Sequence, residues 1–429
     1  MFGSNGRIAY DHNGIIQMGG SRFGFIDSHG ISTIVRSNNY TTITTPTTHS
    51  VDTESTYVKV TDVSGFEGTF KVYSRTGTTI TYEDPGSNAS ATTGTVHHLK
   101  YSPAYEQSLT QTGDFGFSVA VGCGRIVVGA PSDGKVYVYK LDGTLAATLT
   151  GSAADSFGYS VGVGSDRIVV GAPTYSSNTG RAYVYYLSGL SITNDTGSNA
   201  GDRLGHSVSV GSDCAAAGAP GGGYAKLYHF ASDETKTVQG ETYTSNFGAG
   251  VFVRRNRFYV TGGGYVHIFS EHGIKVRTTT AVSGSSMSLA STVATDGHVV
   301  AIGTPTYSTN AGRLHMCRLG TRTMISPIVT ETKTGSSPEE MGTSVAVGSN
   351  YVVVGCPGSN KVKMYYGGTN APEEFEVEAH LTASSFGDSV AINGSIMAVG
   401  DSGQNKVHIY KVPPSYGVHE AAGYYEGDL

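Results

Sequence analysis

Two nearly identical nonapeptides carry the residue types best suited to chemistry in this chain: PTYSSNTGR from Pro173 and PTYSTNAGR from Pro305. Tyr175 and Tyr307 offer flat apolar ring faces. Ser176, Asn178, Ser308 and Asn310 offer hydroxyl and amide groups that can exchange hydrogen bonds with sugar hydroxyls. Ring faces beside short polar side chains point to glycan contact. The same residues are good turn formers, so a plain connection between two strands is the competing reading.

Other chemistry is sparse. The 14 histidines include no HExxH, and His97 and His98, adjacent on an expected strand, point to opposite faces. GGGYAK from Gly221 follows a strand but opens no helix, so it does not meet the condition for cradling phosphate, and no GxSxG elbow occurs. Cys123, Cys214, Cys317 and Cys356 form no CxxC pair and read as small hydrophobes. No catalytic residue, metal ligand or cofactor is expected.

The two nonapeptides recur inside a larger pattern. Seven times the chain gives a large apolar residue followed by a small one: Phe115-Gly116, Phe157-Gly158, Leu204-Gly205, Phe247-Gly248, Met287-Ser288, Met341-Gly342 and Phe386-Gly387. Each pair leads through a short apolar segment and a tight turn to a second segment ending in GAP or a variant of it. These endings are Gly129-Ala130-Pro131, Gly171-Ala172-Pro173, Gly218-Ala219-Pro220, Gly262-Gly263-Gly264, Gly303-Thr304-Pro305, Gly355-Cys356-Pro357 and Gly400-Asp401-Ser402. A third, alternating segment such as KVYVYKL follows. The period, roughly 40 to 54 residues, belongs to solenoids, propellers and arrays.

This pattern resembles the FG-GAP repeat of integrin alpha-chain heads over about two-thirds of the chain, which implies a seven-bladed β-propeller. The residues alone lead the same way. Short Val-, Ile- and Tyr-rich segments alternate with period two between Gly, Asn, Asp and Ser joints, so each repeat is a small antiparallel sheet. Such a sheet cannot bury both faces alone, and a ring of sheets hides them. The fold class expected is all-β: a seven-bladed propeller of four-stranded blades after a small β-rich N-terminal domain. The seventh repeat lacks a fourth strand, whereas AYEQSLTQ precedes the first, so Ala104–Gln111 is expected to complete the last blade.

The resemblance also implies calcium loops between the first and second strands of some blades. Here the corresponding turns read GCGR, GSDR, GSDC, RRNR, TDGH, GSNY and NGSI, none with three alternating carboxylates. Asp166 and Asp213 therefore read as turn formers. The Tyr residues of the third segments, Tyr137, Tyr139, Tyr183 and Tyr185, read as packing between blades.

Composition narrows the partners. Charged residues make up 14% of the chain, against about 25% in ordinary domains. The formal net charge is −6 with no basic cluster, so no nucleic acid partner is expected. No apolar run has membrane-spanning length, and the start has neither the basic nor the apolar region of a secretory signal, so folding in a cytoplasm is expected without membrane insertion.

Residues 56–96 resemble a small β-domain of tailed-phage structural proteins, through the strand VKVTDV, the turn GFEGTFKV and the strand TTITYEDPG. The expected organisation is an extended attachment segment at 1–50, with SNNYTTITTPTTHS as a low-complexity stretch, then a β-domain at 51–103. The propeller follows at 104–412 and a tail at 413–429. The expected function is that of a non-enzymatic virion protein of a phage tail, neck or fibre, in several copies per particle. Residues 1–103 would meet other virion proteins, and the propeller a host glycan or receptor. The alternatives are a cellular adhesin or lectin, extracellular or at the cell surface, and a hydrolase or lyase working in the propeller's axial cleft.

Overall fold

The computed structural model describes residues 9–10, 16–18, 21–49, 57–102, 104–240, 246–254, 257–278, 292–296, 299–318, 328–349, 351–366, 374–378 and 384–412. The chain divides into two compact units, Met1–Ala104 and Tyr105–Leu429.

The first unit is built on strands β1 (Ala9–Tyr10), β2 (Ile16–Met18), β3 (Ser21–Gly30), β4 (Thr33–Ser37), β5 (Tyr40–Thr44), β6 (Tyr57–Thr61), β7 (Gly68–Arg75), β8 (Thr79–Glu83), β9 (Ala89–Ala91) and β10 (Thr95–Ser102). They pair in the order β1-β2-β3-β10-β6-β7-β8-β5-β4-β9. Asn38 and Asn39, at φ 53° and 65°, form the two-residue turn that pairs β4 with β5. Ile34, Ile43, Val58, Val60, Ile80, Tyr82 and Val96 form the core. The Arg36 guanidinium, 2.6 Å from the Asp84 carboxylate, also donates to the Gly65 carbonyl and stacks on Phe66, while Thr41 donates to the same carboxylate. The division expected at residue 50 thus runs through one sheet. The Thr-rich stretch has strand periodicity, and Ile34 and Ile43, which flank the Asn-Asn turn, reach the same core as Val58 and Ile80.

The second unit contains seven four-stranded sheets among the described residues. In the first blade the strands are Ser118–Gly122, Arg125–Ala130, Lys135–Lys140 and Leu145–Thr150. Later blades span residues 160–196, 207–239, 251–278, 292–334, 345–378 and 386–411. Their first strands touch one another in order, and the seventh touches the first, so the ring is closed around these strands. Strand β11 (Ala104–Thr110) is the outer strand beside Lys406–Lys411 in the last blade. There Leu109 is buried, and Tyr105 meets Tyr410 edge-on. Second strands such as Ile126–Ala130 are buried throughout, whereas fourth strands such as Leu145–Thr150 bury a single residue, Leu149.

The joints between blades explain the motif. The Ser118 hydroxyl donates to the Gly158 carbonyl of the next blade at 2.8 Å, and Ser160, Ser207, Thr292, Ser344 and Ser389 do the same to Gly205, Gly248, Gly342, Gly387 and Gly116. The GAP glycine makes room for this contact: a Cβ on Gly129 would stand 2.0 Å from the Gly158 oxygen. The FG phenylalanines pack edge-on against third-strand rings, Phe115 on Tyr137 and Tyr139, Phe157 on Tyr183 and Tyr185.

Register corrects one repeat boundary. In the fourth blade Gly248 N–H donates to the Thr261 carbonyl at 2.9 Å, as Gly116 does to Gly129, and Val251 pairs with Val260. Thr261-Gly262-Gly263, not Gly262–Gly264, therefore holds the GAP position, with Gly250 where other blades have Ser or Thr. In the fifth, Thr292 pairs with Gly303, as Ser118 does with Gly129. The Met287-Ser288 pair of the fifth repeat and the 413–429 tail lie outside the described residues.

Candidate ligand-binding face

Strand direction sorts the loops. First strands begin at the FG pair and second strands end at GAP, so the FG openings and the post-GAP loops share one end of the ring. The hairpins between strands one and two, and between strands three and four, lie at the other end. β11 runs toward the post-GAP end, where Gln111 N–H meets the Asn405 carbonyl, so the chain enters the propeller at the opposite end.

Two forms of post-GAP loop recur, beside plain turns at 220–223 and 263–264 in the third and fourth blades. The short form is a 3-10 turn, Pro131–Asp133, Pro357–Ser359 or Ser402–Gln404, closed by a left-handed residue, Gly134, Asn360 or Asn405. The Asn360 and Asn405 side chains accept the backbone N–H of Phe386 and Phe115 in the following blade, at 3.2 and 3.1 Å. The long form is the pair of nonapeptides. Ser176, Ser177 and Asn178 have φ of 47°, 59° and 61°, and Ser308, Thr309 and Asn310 have 47°, 57° and 62°. Three successive left-handed residues without glycine are costly, and the two loops hold them alike.

Both loops are tied to the blade that follows. The Asn178 carbonyl accepts Arg203 N–H and the Asn310 carbonyl accepts Glu340 N–H, each at 2.8 Å. Arg181 lies 3.7 Å from the Tyr175 ring centroid and Arg313 lies 3.4 Å from that of Tyr307. Each guanidinium is anchored in turn by a fourth-strand hydroxyl, Thr196 or Thr334. One face of each tyrosine is therefore taken by a cation–π contact. Ser176, Asn178, Ser308 and Asn310 stay exposed at the tips. The two loops sit in the second and fifth blades, so the structure places their six residues in two separate clusters on one face.

A second group on this face escaped sequence reading. The residue after each FG-type pair opens the first strand, giving Phe117, Tyr159, His206, Ala249, Thr343 and Asp388 among the described residues. Phe117 and Tyr159 ring centroids are 5.0 Å apart at 48°, and Tyr159 and His206 are 5.3 Å apart at 46°. Phe117 keeps 36% of its surface exposed. Burial, with the Arg203 charge, holds the His206 imidazole down at about 4. Asp388, in the seventh blade, neighbours this arc through contact of the first strands. Its carboxyl is pushed up by burial and by the charges of Asp401 and Glu340, and Ser402 donates to it. The available signal was the third letter of FGF, FGY, LGH and FGD.

The expected calcium turns are two-residue hairpins: Gly122 pairs with Arg125 around Cys123 and Gly124, and Gly164 pairs with Arg167 around Ser165 and Asp166. Among the described residues no group of three or more His, Cys, Asp or Glu is placed to hold a metal ion. The cysteines are free thiols, and burial raises Cys214 and Cys317 to about 11. No helix among the described residues is long and apolar enough to cross a membrane.

Known proteins extend this picture. The family model for the FG-GAP repeat matches residues 145–185, from the outer strand of the first blade to the third strand of the second. The chain is similar in fold to the crystal structure of the Cps50 (Swd1) β-propeller domain of Myceliophteria thermophila, with TM-score 0.55 and 9% identity over 73% of this chain and all of that one. A chain of the crystallised Mitotic Checkpoint Complex gives TM-score 0.55 and 18% identity, covering 73% of this chain and 93% of that one. No curated protein matches the sequence. The second unit has the β-propeller fold, and residues 145–185 within it match the FG-GAP repeat.

Proposed function

We propose that this protein is a non-enzymatic binding component of a tailed-phage particle, anchored through residues 1–103 and presenting the post-GAP face of its propeller to a host surface. One observation carries the reading: the exposed post-GAP tips and the ring of residues that follow the FG pairs gather at one end of the propeller, and β11 enters the last blade from the other end. The first unit has its own core, and within it lie the strands that resemble a phage structural domain. Free buried thiols suit a protein folded in a reducing compartment and released with a particle. On the face itself, His206 and Asp388 are separated around the ring by Phe117 and Tyr159, which favours a binding surface over an acid–base pair.

The test is incorporation. Particles made with a chain lacking residues 1–100 should carry no propeller when probed by electron microscopy with a propeller-specific antibody fragment. Full-length chain should label the exterior in several copies. Normal incorporation of the truncated chain would move the docking surface onto the propeller. A cellular adhesin would use the same face, and surface labelling of cells without particles would favour it.

A further inference from the structure

We propose that the arc Phe117–Tyr159–His206, with Asp388 at its end, is a binding subsite for a neutral hexopyranose; this rests on the binding reading above and names its ligand class. The arc is continuous over three successive blades, with ring centroids 5.0 and 5.3 Å apart. Each ring is tilted from its neighbour by 48° and 46°, and Phe117 keeps 36% of its surface exposed, so the rings form a turning apolar wall that solvent reaches at Phe117. Such a wall fits the flat C–H face of a sugar ring. A cation held by rings is better served by faces on several sides.

The His206 imidazole is engaged within the protein, which leaves the Tyr159 oxygen and the Asp388 carboxylate as acceptors for sugar hydroxyls. Tyr159 Oη and His206 Nε2 lie 3.5 Å apart, and His206 Nδ1 faces the Ala249 carbonyl at 3.3 Å. At the other end Asp388 holds the Ser402 hydroxyl and offers a carboxylate acceptor. Charge selects among sugars. Asp388 lies in the field of Asp401 and Glu340, so an acidic sugar would be repelled at that end, and the Arg203 charge is confined to the His206 end. The nonapeptide tyrosines are poorer platforms, because Arg181 and Arg313 already cover a face of each.

Full-length protein should be tested on immobilised neutral hexose, N-acetylhexosamine and sialylated oligosaccharides. Wild type should retain a neutral hexose, Phe117→Ala and Tyr159→Ala should each weaken binding about tenfold, and Phe117→Tyr should keep it. Asn178→Gly/Asn310→Gly, which keeps the left-handed backbone of both loops and tests the competing nonapeptide site, should bind as wild type. Melting temperature checks that the exposed Phe117 substitution leaves the fold intact. Preference for sialylated glycans, retention by Phe117→Ala, or loss only in the Asn178/Asn310 variant overturns the subsite. Binding of protein to host cells that no glycan competes, but that a Lys- or Arg-rich peptide does, overturns the sugar assignment and leaves the adhesion reading standing. Absence of any binding to host cells overturns both.

Discussion

The backbone N–H of Phe115 donates to the Asn405 side-chain oxygen at 3.1 Å, joining residues 290 positions apart. Beside it the Ser389 hydroxyl donates to the Gly116 carbonyl at 2.7 Å. Both bonds repeat joints that neighbouring blades make over some 26 to 43 residues, Asn360 with Phe386 and Ser344 with Gly387. The ring therefore closes with the same chemistry that joins its consecutive blades. The loop entropy of the whole propeller is absorbed at this joint.

Asn405 serves twice, as acceptor and as a residue at φ 55°. Asn405→Gly should cost about 1 kcal/mol for the lost hydrogen bond. Asn405→Ala should cost about 2 kcal/mol, because alanine also tolerates the left-handed region poorly. Urea midpoints at constant slope measure both, and equal midpoints for the two variants would mean that the backbone conformation carries no cost.

Closure also sets where the propeller can begin. A fragment starting at Ala104 should fold cooperatively, whereas one starting at Thr112 leaves the Lys406–Lys411 strand as an open edge and exposes part of the core that Leu109 helps cover. Size-exclusion chromatography should show a monomer for the first and aggregates for the second. A soluble, cooperatively melting Thr112 fragment would show that β11 is dispensable.

Much of this was legible in the chain. Seven motif copies announced stacked sheets, and the missing last strand announced β11, because period and strand count are local properties of sequence. The axial arc was not legible, since Phe117, Tyr159 and His206 are about 40 to 50 residues apart and meet only once the first strands converge. Nor could sequence show that Arg181 would cover Tyr175. Both belong to the repeat, but the contact depends on left-handed residues at Ser176–Asn178 folding the loop back. The division placed at residue 50 misread Thr-rich composition as absence of strand. Composition says little where alternation puts Ile34 and Ile43 on one buried face.

Acid should weaken the propeller through buried imidazoles. Burial, with the Arg313 charge, holds His315 at about 4, and its Nδ1 meets the Thr332 hydroxyl at 3.1 Å. Unfolded, the group titrates near 6.5 and so binds more protons than the folded form between the two values. Its stability contribution is complete above 6.5 and is lost as pH falls toward 4, reaching about 2 kcal/mol at pH 5. His315→Gln should show a shallower fall of melting temperature from pH 7 to pH 5 than wild type. Parallel curves would show that His315 does not sense this range.

Metal removal should be silent. Two-residue turns such as Cys123-Gly124 and Ser165-Asp166 leave too little backbone to wrap six to eight oxygens around calcium. Melting temperatures with EDTA and with millimolar calcium should coincide. A fall with chelator that calcium reverses would reveal a site outside these hairpins.

The fourth blade offers the sharpest test of the joint, because it exchanges the two residues of the motif. Thr261 stands where other blades have the GAP glycine, Gly250 stands where they have serine or threonine, and the Thr261 Oγ1 accepts Gly250 N–H at 2.8 Å. Two side chains in this narrow space should clash, so Gly250→Ser alone should cost about 1–3 kcal/mol. Thr261→Gly alone removes the hydroxyl and adds backbone freedom, for a cost of about 1–2 kcal/mol. Together they rebuild the Ser–Gly pair of Ser118 and Gly129, so the double variant should be more stable than the sum of the singles by at least about 1 kcal/mol. Urea unfolding of the four proteins closes the cycle. Additivity within about 0.5 kcal/mol would mean that the two positions do not share one space, and that the exchange in this blade is incidental to the joint.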